Sequence, residues 1–420
     1  MKVFKFGGAS VNSVERIRNL LPILQTYNGQ HILVVISAMG KNTNALEKVA
    51  EAFFRKNKEE SIQLFEIVKK SHLDTARALL KSCLSATEER LRDFFTEVEW
   101  LLQDQPKRDF DYYYDQIVCV GELLSTAIVS AYLNENGLKN EWVDVRDIFR
   151  TDDNFRDANI DWKWTGKKTE SDIIPLFQIS PMVLTQGFIG STDENESTTL
   201  GREGSDYSAA VFANLLNAES QTIWKDVQGV MNADPKEFPD AKFISELSYD
   251  EVIEMAFYGA QVIHPKTIKP LENKGIPLYV KCFMDPALPG TVIHAKNVNH
   301  LPPIIVIKQN QALIHLHSKD FSFVGEKPTG ELYHLFSEIK VKPNLMQSGA
   351  VTLHVCMDDK PDKIDKLAHD ATSIFDVQVE KGLTLLTIRH YDEATLKSLT
   401  KDKNIVLKQQ SPETVQVLMK

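Results

Sequence analysis

The sequence predicts an α/β fold in three layers, with helices on both faces of a mostly parallel sheet, followed by smaller ferredoxin-like modules. Two observations support this prediction. Short apolar runs alternate with helical patterns through the first two thirds of the chain, which is typical of βαβ units. A segment dense in proline, glycine and asparagine then separates this part from a region where strands and helices alternate differently. With 420 residues the chain is long enough for two or three packed units.

The first βαβ unit is predicted at the N-terminus. Val3–Phe6 is a short strand-like run that ends at Gly7 and Gly8. The residues that follow, 14–24, carry apolar side chains at helical spacing. Residues 31–36 form a second run that is almost entirely apolar, and such a run predicts a strand buried on both faces of a parallel sheet.

A helical insert is expected next, at about residues 45–105, where Glu, Lys, Leu and Phe are frequent and proline is absent. Strand-like runs then return at three places: 142–145, 182–184 and 221–224. Ser205–Asn217 has the pattern of a helix between two of them. We expect this first domain to span residues 1–292.

The C-terminal region is predicted to hold two smaller modules in residues 300–420. Its segments alternate as strand, strand, helix, strand, helix and strand: 304–308, 312–317, 332–339, 351–356, 364–375 and 383–388. This order matches a ferredoxin-like βαββαβ module. The last stretch, 394–419, offers one helix and two strands, which is about half of a second module.

Composition and charge restrict the classes of function. The formal net charge is -10, with 43% hydrophobic and 25% charged residues, so a nucleic-acid or anionic membrane partner is not expected. The four cysteines show no CxxC spacing, which argues against a disulfide framework and against a zinc site, and no metal-ligating residues are predicted. The N-terminus lacks the pattern of a signal peptide and no run reaches the ~20 apolar residues of a membrane span. A reducing, cytoplasmic location is expected.

The first candidate site is Lys5–Ser10, which reads KFGGAS. A buried strand runs into two glycines and then into a helix, whose free backbone N–H groups can hold phosphate oxygens. The motif is not a Walker A sequence, because its lysine precedes the glycines. Taken alone, the glycine pair is also explained by an ordinary tight turn.

The second candidate site is Thr198–Ser208, a polar loop that leads into a helix. Arg202 offers a planar fork suited to a carboxylate or a phosphate. Asp206, near the helix start, can accept backbone N–H bonds or orient a lysine. A simple helix cap by Ser205 or Asp206 explains the same residues, and capping is compatible with a catalytic role.

Two further segments carry candidate binding groups. Glu122 lies in the first turn of a predicted helix, where a solvated carboxylate favoured by the helix dipole is the ordinary explanation and a site for a substrate ammonium group is the alternative. Ser37–Asn44 follows the second strand, where open α/β sheets place their ligands. The hydroxyl groups of Ser37 and Thr43 can donate hydrogen bonds to a carboxylate.

Five segments, in the order found here, resemble the aspartate kinases of the amino-acid kinase family: KFGGAS, SAMGKNTNAL, VGELLS, TQGFIG and TTLGREGSDYSAA. The resemblance spans the whole chain. It implies an amino-acid kinase domain followed by two interleaved ACT-type regulatory modules. The implied reaction converts L-aspartate to 4-phospho-L-aspartate with ATP and Mg²⁺, which is the first step of the lysine, threonine and methionine pathway. A homodimer through the ACT modules is implied as well.

The resemblance also implies roles for residues on the phosphate side of the site. Lys5 would contact the ATP phosphates and the transferring group, while Gly7 and Gly8 supply backbone donors. Asp206 would hold the lysine in place. This arrangement suits in-line phosphoryl transfer, which needs positioning and charge neutralisation more than a covalent catalyst.

On the aspartate side, the resemblance implies that Arg202 clamps a carboxylate of the substrate and that Glu122 receives its ammonium group. Four further residues would complete the pocket: Ser37, Thr43, Phe188 and Ser205. Since a carboxylate is already a nucleophile, no general base is required.

The nucleotide side departs from the family pattern. The family usually has Thr at Lys225, often Tyr at Met231, Arg at Lys236 and Lys at Gln261, whereas Asp226 matches. Loss of a cation near the polyphosphate at position 261 is expected to weaken nucleotide binding. The additional charge of Lys225 could replace it.

The C-terminal loop that resembles the family's effector-binding loop also departs from the family pattern. Residues 344–352 resemble the loop that binds lysine or threonine in this family, and Ser348 is retained. The acidic residue that usually follows is absent, which puts binding of an effector ammonium group in question. Asp320 could replace it, or the module could serve only to hold a dimer together.

Two competing functions remain on sequence grounds. One is a kinase that acts on glutamate, acetylglutamate or a nucleotide, although those relatives lack the GELLS and TTLGREGSDYSAA combination. The other is a non-catalytic amino-acid sensor, which Gln261 and Met231 favour. Lys5, Arg202 and Asp206 argue against the sensor.

Overall fold

The computed structural model describes residues 1–319 and 323–420. They form two compact units. The first unit comprises Met1–Val230, Ile244–Ile253 and Ile263–Asn297. The second comprises Met231–Phe243, Glu254–Val262 and Val298–Lys420. Two short segments from within the N-terminal two thirds of the chain therefore fold with the C-terminal part.

The strands up to residue 297 are β1 (Lys2–Phe6), β2 (Ile32–Ile36), β3 (Glu141–Val143), β4 (Met182–Gln186), β5 (Ile189–Ser191), β6 (Ser197–Thr199), β7 (Ser220–Lys225), β8 (Val230–Met231), β9 (Phe243–Ile244), β10 (Glu246–Ser248), β11 (Leu278–Cys282) and β12 (Thr291–His294). The α-helices of the same stretch are α1 (Val14–Gln25), α2 (Asn42–Phe54), α3 (Lys58–Leu79), α4 (Leu84–Gln103), α5 (Phe110–Val118), α6 (Val120–Glu135), α7 (Trp162–Lys168), α8 (Gly204–Leu215), α9 (Tyr249–Tyr258) and α10 (Pro265–Glu272).

The central sheet of the first unit has the strand order β10-β12-β11-β7-β1-β2-β4-β3. Its neighbouring strands are parallel except β11 and β12, which are antiparallel. All five residues of β2 and of β4 are buried. Because successive side chains of a strand point to opposite faces, both faces of the sheet are covered there. The predicted α/β class with a mostly parallel sheet is confirmed.

The parallel strands bring four loops to one edge of this sheet. Phe6, the last residue of β1, lies opposite Ile36 in β2 and Trp224 in β7. Ile36 in turn lies opposite Gln186, the last residue of β4. The carboxyl ends of parallel strands are where open α/β folds bind their ligands. The loops after β1, β2, β4 and β7 are therefore expected to build the site.

The second unit contains β13 (Ile304–Ser318), β14 (Leu345–Ser348), β15 (Thr352–Asp358), β16 (Phe375–Arg389), β17 (Ile405–Gln410) and β18 (Thr414–Met419), with α11 (Glu326–Ile339), α12 (Pro361–Ala371) and α13 (Glu393–Thr400). Its sheet has the order β14-β15-β13-β16-β18-β17 and is antiparallel throughout. An antiparallel sheet of this kind fits ACT-like modules.

The strands β13 and β16 run through both halves of this sheet. Sequence analysis predicts separate strands at 304–308 and 312–317, but the structure has one strand with a bulge between Lys308 and Gln311. One core cluster in the half next to α11 and α12 contains Ile314 and Leu316. A second cluster contains Leu386 and Ile388, together with Leu396 of α13. The two halves are thus interleaved, because each long strand contributes to both.

One helical stretch of the described residues, Phe110–Glu135, is long and apolar enough to cross a membrane, with a mean hydropathy of 1.6. It comprises α5 and α6. Most of its apolar window, 89%, is buried inside the fold. The core helix of a globular protein has the same length and composition, so this stretch is weak evidence for a membrane span.

His72 is a fully buried histidine on α3. Its Nδ1 donates a hydrogen bond to the carbonyl oxygen of Val68 at 2.8 Å, and its Nε2 lies 3.5 Å from the side-chain nitrogen of Asn42. Burial lowers the pKa of His72 to about 4. The imidazole is therefore neutral in the folded protein at neutral pH.

We expect His72 to make the fold sensitive to mild acid. Between pH 6.5 and pH 4 the unfolded chain binds a proton at this residue and the folded chain does not, so stability falls as the pH falls. The free energy of unfolding should drop by about 2 kcal/mol more between pH 7 and pH 5 in the wild type than in His72→Gln. Urea denaturation at several pH values measures this difference. His31→Gln, which changes an exposed histidine, should behave as the wild type, and an equal pH dependence in His72→Gln would contradict the assignment.

Candidate active site

A cavity of about 440 Å³ opens at the edge where β1, β2 and β4 end. Nine of the residues predicted for the site line it: Lys5, Gly8, Ser37, Thr43, Glu122, Phe188, Arg202, Ser205 and Asp206. All of them belong to the first unit. The aspartate side of the predicted site, together with its lysine, is thus brought into one cavity.

Lys5 and Asp206 form a buried ion pair at this cavity. The Nζ atom of Lys5 lies 2.6 Å from Oδ1 of Asp206, and the side chains are 12% and 5% exposed. Asp206 lies in the first turn of α8, where the helix dipole favours a carboxylate. A Cβ atom at Gly7 would lie 3.2 Å from the Lys5 ammonium. Gly7 therefore leaves room for the lysine side chain, although Gly7 itself does not line the cavity.

The glycine turn after β1 packs directly on the loop after β2. The backbone N–H of Gly40 donates to the carbonyl oxygen of Gly8 at 3.0 Å. A Cβ atom at position 8 would lie only 2.7 Å from the carbonyl oxygen of Ala38. Any side chain at this position would push the two loops apart. The Ser125 hydroxyl anchors the second loop by donating to the carbonyl oxygen of Ser37 at 2.8 Å.

Glu122 is a buried carboxyl group in the first turn of α6. Its Oε2 atom has no hydrogen-bond partner among the described residues. Burial raises the pKa of Glu122 to about 8, against the opposing effects of a hydrogen bond from the backbone of Ala38 and of the charge on Lys5. Buried polar atoms normally have partners. An unpaired carboxylate oxygen in a cavity is suited to a cationic ligand.

Arg202 lies in an exposed turn before α8. The residues on either side, Gly201 and Glu203, have left-handed φ angles of 75° and 54°. Within residues 1–319 and 323–420, no hydrogen bond or ion pair to the Arg202 guanidinium is found. Its planar fork is available for a carboxylate.

Phe188 follows β4 and carries a left-handed φ of 74°. Its backbone N–H donates to the Ser208 hydroxyl at 2.9 Å, which holds the turn against α8. A Cβ atom at Gly204 would lie 2.7 Å from the Phe188 ring, and one at Gly187 would lie 2.7 Å from the Cα of Ser205. These two glycines let the β4 turn and the start of α8 meet closely.

Of the residues predicted for the nucleotide, Lys5 and Gly8 line this cavity, whereas the others do not: Gly7, Lys225, Asp226, Met231, Lys236 and Gln261. Lys225 and Asp226 lie at the end of β7, and the pairing of β1 with β7 places them beside the glycine turn. Met231, Lys236 and Gln261 belong to the second unit. No group of three or more His, Cys, Asp or Glu side chains in the described residues has the arrangement of a metal site.

The predicted effector residues lie in the second unit or outside the described residues. Ser348 ends β14 and is exposed. Asp320 lies outside the described residues, so its part of the prediction has no structural account.

Sequence reasoning missed several residues of the cavity wall, notably Tyr114, Arg156 and Thr199. Thr199 lies within TTLGREGSDYSAA, so its motif was found but its role was not. The buried carboxylate of Asp115 ties the wall together. It accepts hydrogen bonds from the backbone of Arg156 and from the backbone and hydroxyl of Thr199 at 2.7 to 3.0 Å. The spacing of these residues in the sequence gives no signal of their proximity.

The cavity therefore presents three ionisable side chains at separate points of its lining, one acidic and two basic. Glu122 offers an unpaired carboxyl oxygen, Arg202 a guanidinium without a partner in the described chain, and Lys5 a partly buried ammonium held by Asp206. A ligand with one cationic and two anionic groups matches this set. Zwitterionic dicarboxylates have this pattern.

Comparisons with known proteins identify the family to which the chain is similar. Residues 1–282 match the model of the amino acid kinase family. Lysine-sensitive aspartokinase 3 of Escherichia coli is 29% identical over 396 residues, which cover 92% of this chain and 86% of the relative. The crystal structure of E. coli aspartokinase III with aspartate and ADP has a TM-score of 0.82 at 28% identity, covering all of this chain and 96% of that one. The structure of the same enzyme with lysine and aspartate has a TM-score of 0.81 at 27% identity, covering 100% and 95%.

Proposed function

This chain belongs to the amino acid kinase family, and on that premise we propose that it acts as an aspartate kinase, transferring the γ-phosphoryl group of ATP to the side-chain carboxylate of L-aspartate. The observation that carries the proposal is the cavity that gathers Lys5, Glu122 and Arg202. Its charges match the three charged groups of aspartate. The similarity to aspartokinases over 92% of the chain supports the same assignment.

Each charged group of the substrate has a counterpart. The α-carboxylate binds the Arg202 guanidinium through two parallel hydrogen bonds. The ammonium group binds the free oxygen of Glu122. Hydroxyl groups of Ser37, Thr43 and Ser205 surround the substrate, and Phe188 forms one side of the pocket. The side-chain carboxylate is left facing Lys5.

The transfer step needs no proton donor or acceptor. A side-chain carboxylate oxygen attacks the γ-phosphorus, the new O–P bond forms, and the bond from that phosphorus to the β–γ bridging oxygen breaks to release ADP. Lys5 stabilises the charge on the transferring group, and Asp206 keeps the ammonium in position. In this class of reaction positioning and electrostatic stabilisation supply the catalysis.

The nucleotide is a second substrate in this proposal. Gly7 and Gly8 follow β1, Lys225 is the last residue of the neighbouring strand β7, and Asp226 follows it. Backbone N–H groups and the Lys225 ammonium at this edge suit phosphates. Mg²⁺ would arrive with the nucleotide, because it is usually held by substrate phosphates and one or two carboxylates and neutralises phosphate charge. We assign Met231, Lys236 and Gln261 to nucleotide binding on the family resemblance.

The second unit is proposed to be regulatory. Its antiparallel sheet fits ACT-like modules, and a homologous structure contains lysine. We propose an amino-acid effector, lysine or threonine, near Ser348, with Asp320 as a candidate acidic group, and a homodimer formed through these modules. A cytoplasmic location is part of the same proposal.

A coupled assay for ADP release tests the function. Purified protein with ATP and Mg²⁺ should release ADP when L-aspartate is added, and hydroxylamine should trap the acyl phosphate as a hydroxamate. Glutamate, acetylglutamate, asparagine and uridine monophosphate serve as comparison acceptors. Release of ADP with one of these and not with aspartate would replace the proposal by a kinase of another substrate. Binding of amino acids without any ADP release would favour a sensor.

Arg202→Lys should raise the Michaelis constant for aspartate about tenfold and leave that for ATP nearly unchanged. A lysine ammonium keeps the charge but cannot make the two parallel hydrogen bonds of a guanidinium. Steady-state kinetics with each substrate varied in turn measures both constants. Arg150→Lys is the control, because Arg150 is stacked on Trp164 and does not line the cavity. An effect confined to the ATP constant would show that Arg202 faces the nucleotide.

A further inference from the structure

The position of the Arg202 guanidinium depends on the turn that carries it. The side chain is exposed, and it has no hydrogen-bond or ion-pair partner in the described part of the chain. The turn comprises residues 200–203 and leads directly into α8. A guanidinium that binds a carboxylate through two parallel hydrogen bonds tolerates little error in its direction. Contacts that fix the turn therefore also fix the direction of the guanidinium.

The backbone of this turn adopts a conformation that needs support from outside. Gly201 and Glu203, on either side of Arg202, have φ angles of 75° and 54°. Glycine adopts this left-handed region freely, whereas a glutamate does so at a cost in free energy. Such conformations persist where the surrounding structure fixes them.

One segment at the start of α10, residues 264–266, holds both ends of the turn. At the end next to α8, Oε2 of Glu203 accepts a hydrogen bond from the backbone N–H of His264 at 2.8 Å. At the other end, the Lys266 ammonium donates to the carbonyl oxygen of Leu200 at 3.1 Å. Arg202 lies in the chain between these two points of attachment.

The Lys266 ammonium also connects the turn to the loop that contains Asp157. It donates to Oδ1 of Asp157 at 2.6 Å and lies 5.5 Å from the centroid of the Tyr207 ring. A Cβ atom at Gly201 would lie only 2.6 Å from the same Oδ1 atom, so the Asp157 carboxylate packs against the turn. One ammonium group thus joins the turn, this loop and α10.

These contacts of Lys266 are suited to local order more than to global stability. The side chains of Lys266 and Asp157 are 27% and 69% exposed, and ion pairs at such exposed sites contribute little to stability. Lys266 does not line the cavity. Any effect of this residue on the substrate must therefore pass through the turn that it holds.

We propose that Lys266 is a positioning residue for the aspartate site, which holds the 200–203 turn so that Arg202 binds the α-carboxylate of the substrate through two hydrogen bonds. This inference rests on the proposed function. Because Lys266 acts through Arg202, loss of its ammonium weakens aspartate binding and leaves the transfer step unchanged. Asp206 stays in place to hold Lys5, since it belongs to the buried part of α8 that follows the turn.

Lys266→Met tests the proposal, because it removes the ammonium and keeps a long side chain. We expect the Michaelis constant for aspartate to rise about fivefold, with kcat and the Michaelis constant for ATP within about twofold of the wild type. Titration calorimetry should show a matching loss of aspartate affinity. Lys266→Arg should retain most of the affinity, since a guanidinium can donate to both acceptors. A lower kcat with an unchanged constant for aspartate would overturn the inference.

A double variant distinguishes positioning of Arg202 from a general structural effect. In the Arg202→Lys background the two parallel hydrogen bonds are already lost, so adding Lys266→Met should change the aspartate affinity by less than about twofold. A structural effect would act alike in both backgrounds. An equal loss of affinity in the two backgrounds would therefore contradict the proposal.

Lys269→Met is the matched control. Lys269 lies on the same helix, three residues after Lys266, is exposed and does not line the cavity. Its kinetic constants and aspartate affinity should equal those of the wild type. A loss of affinity as large as that of Lys266→Met would show that any charge removed from α10 has this effect, and the specific role of Lys266 would be lost.

The proposed function can fail separately from this inference. If the wild-type protein binds aspartate without releasing ADP, the kinase reaction is overturned, and the calorimetric comparison of Lys266→Met with Lys269→Met still decides the role of Lys266. If the wild-type protein binds no aspartate, the substrate and the positioning role are both overturned.

Discussion

Replacement of Lys5 by alanine is expected to lower the rate of ADP release at least 100-fold. The side chain of Lys5 is only 12% exposed, its ammonium is held 2.6 Å from Asp206, and it lines the cavity. A preorganised charge of this kind stabilises the transferring group in the transition state, and loss of one such group usually costs 10²- to 10³-fold, roughly. Turnover within about threefold of the wild type would remove Lys5 from the mechanism.

The same substitution leaves the Asp206 carboxylate buried without its cation. We therefore expect the free energy of unfolding to fall by about 2 to 3 kcal/mol. The reason is that the desolvation of the Asp206 carboxylate is no longer compensated by attraction to a cation. A double variant, Lys5→Ala with Asp206→Asn, removes that charge. It should recover most of the stability in urea denaturation and none of the activity. Recovery of both would show that Lys5 matters only for folding.

Lys2→Ala is the matched control for this pair of variants. Lys2 lies on the same strand, and its ammonium contacts the side chain of Gln30 at 3.0 Å instead of the cavity. Its activity should equal that of the wild type.

The Michaelis constant for aspartate is expected to fall roughly 50-fold between pH 6 and pH 8. Glu122 has its pKa raised to about 8 by burial, so below pH 8 its carboxyl group is mostly protonated and neutral. The substrate ammonium requires the ionised form, and the ionised fraction rises by that factor over this range. Binding of aspartate should accordingly release a proton, which calorimetry in buffers of different ionisation enthalpy detects.

Glu122→Gln should remove this pH dependence and raise the Michaelis constant at pH 8 by roughly 10- to 100-fold, because a neutral amide oxygen binds an ammonium more weakly than a carboxylate does. Glu135→Gln is the control on the same helix. Hydrogen bonds from the Cys83 thiol and from the backbone of residues 81–83 hold the pKa of Glu135 at about 2. Glu135 therefore stays ionised throughout the range from pH 6 to pH 8. A Michaelis constant that is flat from pH 6 to pH 8 in the wild type would rule out Glu122 as the ammonium site.

The class of fold was predictable because its signals are local. Short buried strands such as β2 and β4 appear as apolar runs, and the turns that follow them are marked by glycine or serine. Since parallel strands place their carboxyl ends together, the meeting of the Gly8, Ser37 and Phe188 loops follows from the topology alone. The family match over residues 1–282 agrees with the motif resemblance.

The wall of the cavity was not predictable, because the contacts that form it are not local in the sequence. Arg156 and Tyr114 meet only because a polar loop folds back onto α5, and the contacts that hold it join residues more than forty positions apart in the chain. The length of strand β13 was underestimated for a similar reason. The polar residues around Gln309 suggest a break, but the neighbouring strand β16 continues the pairing across the bulge.

The two strands that pass through both halves of the C-terminal sheet have a consequence for how that unit unfolds. Ile314 and Leu316 belong to one core cluster and Leu386 and Ile388 to another, yet β13 and β16 pair along their whole lengths. Neither half can lose its strands without disrupting those of the other. A polypeptide that ended after Arg389 would lack Val415 and Val417, which pack against Leu386 and Ile388. The two halves should therefore melt in a single cooperative transition.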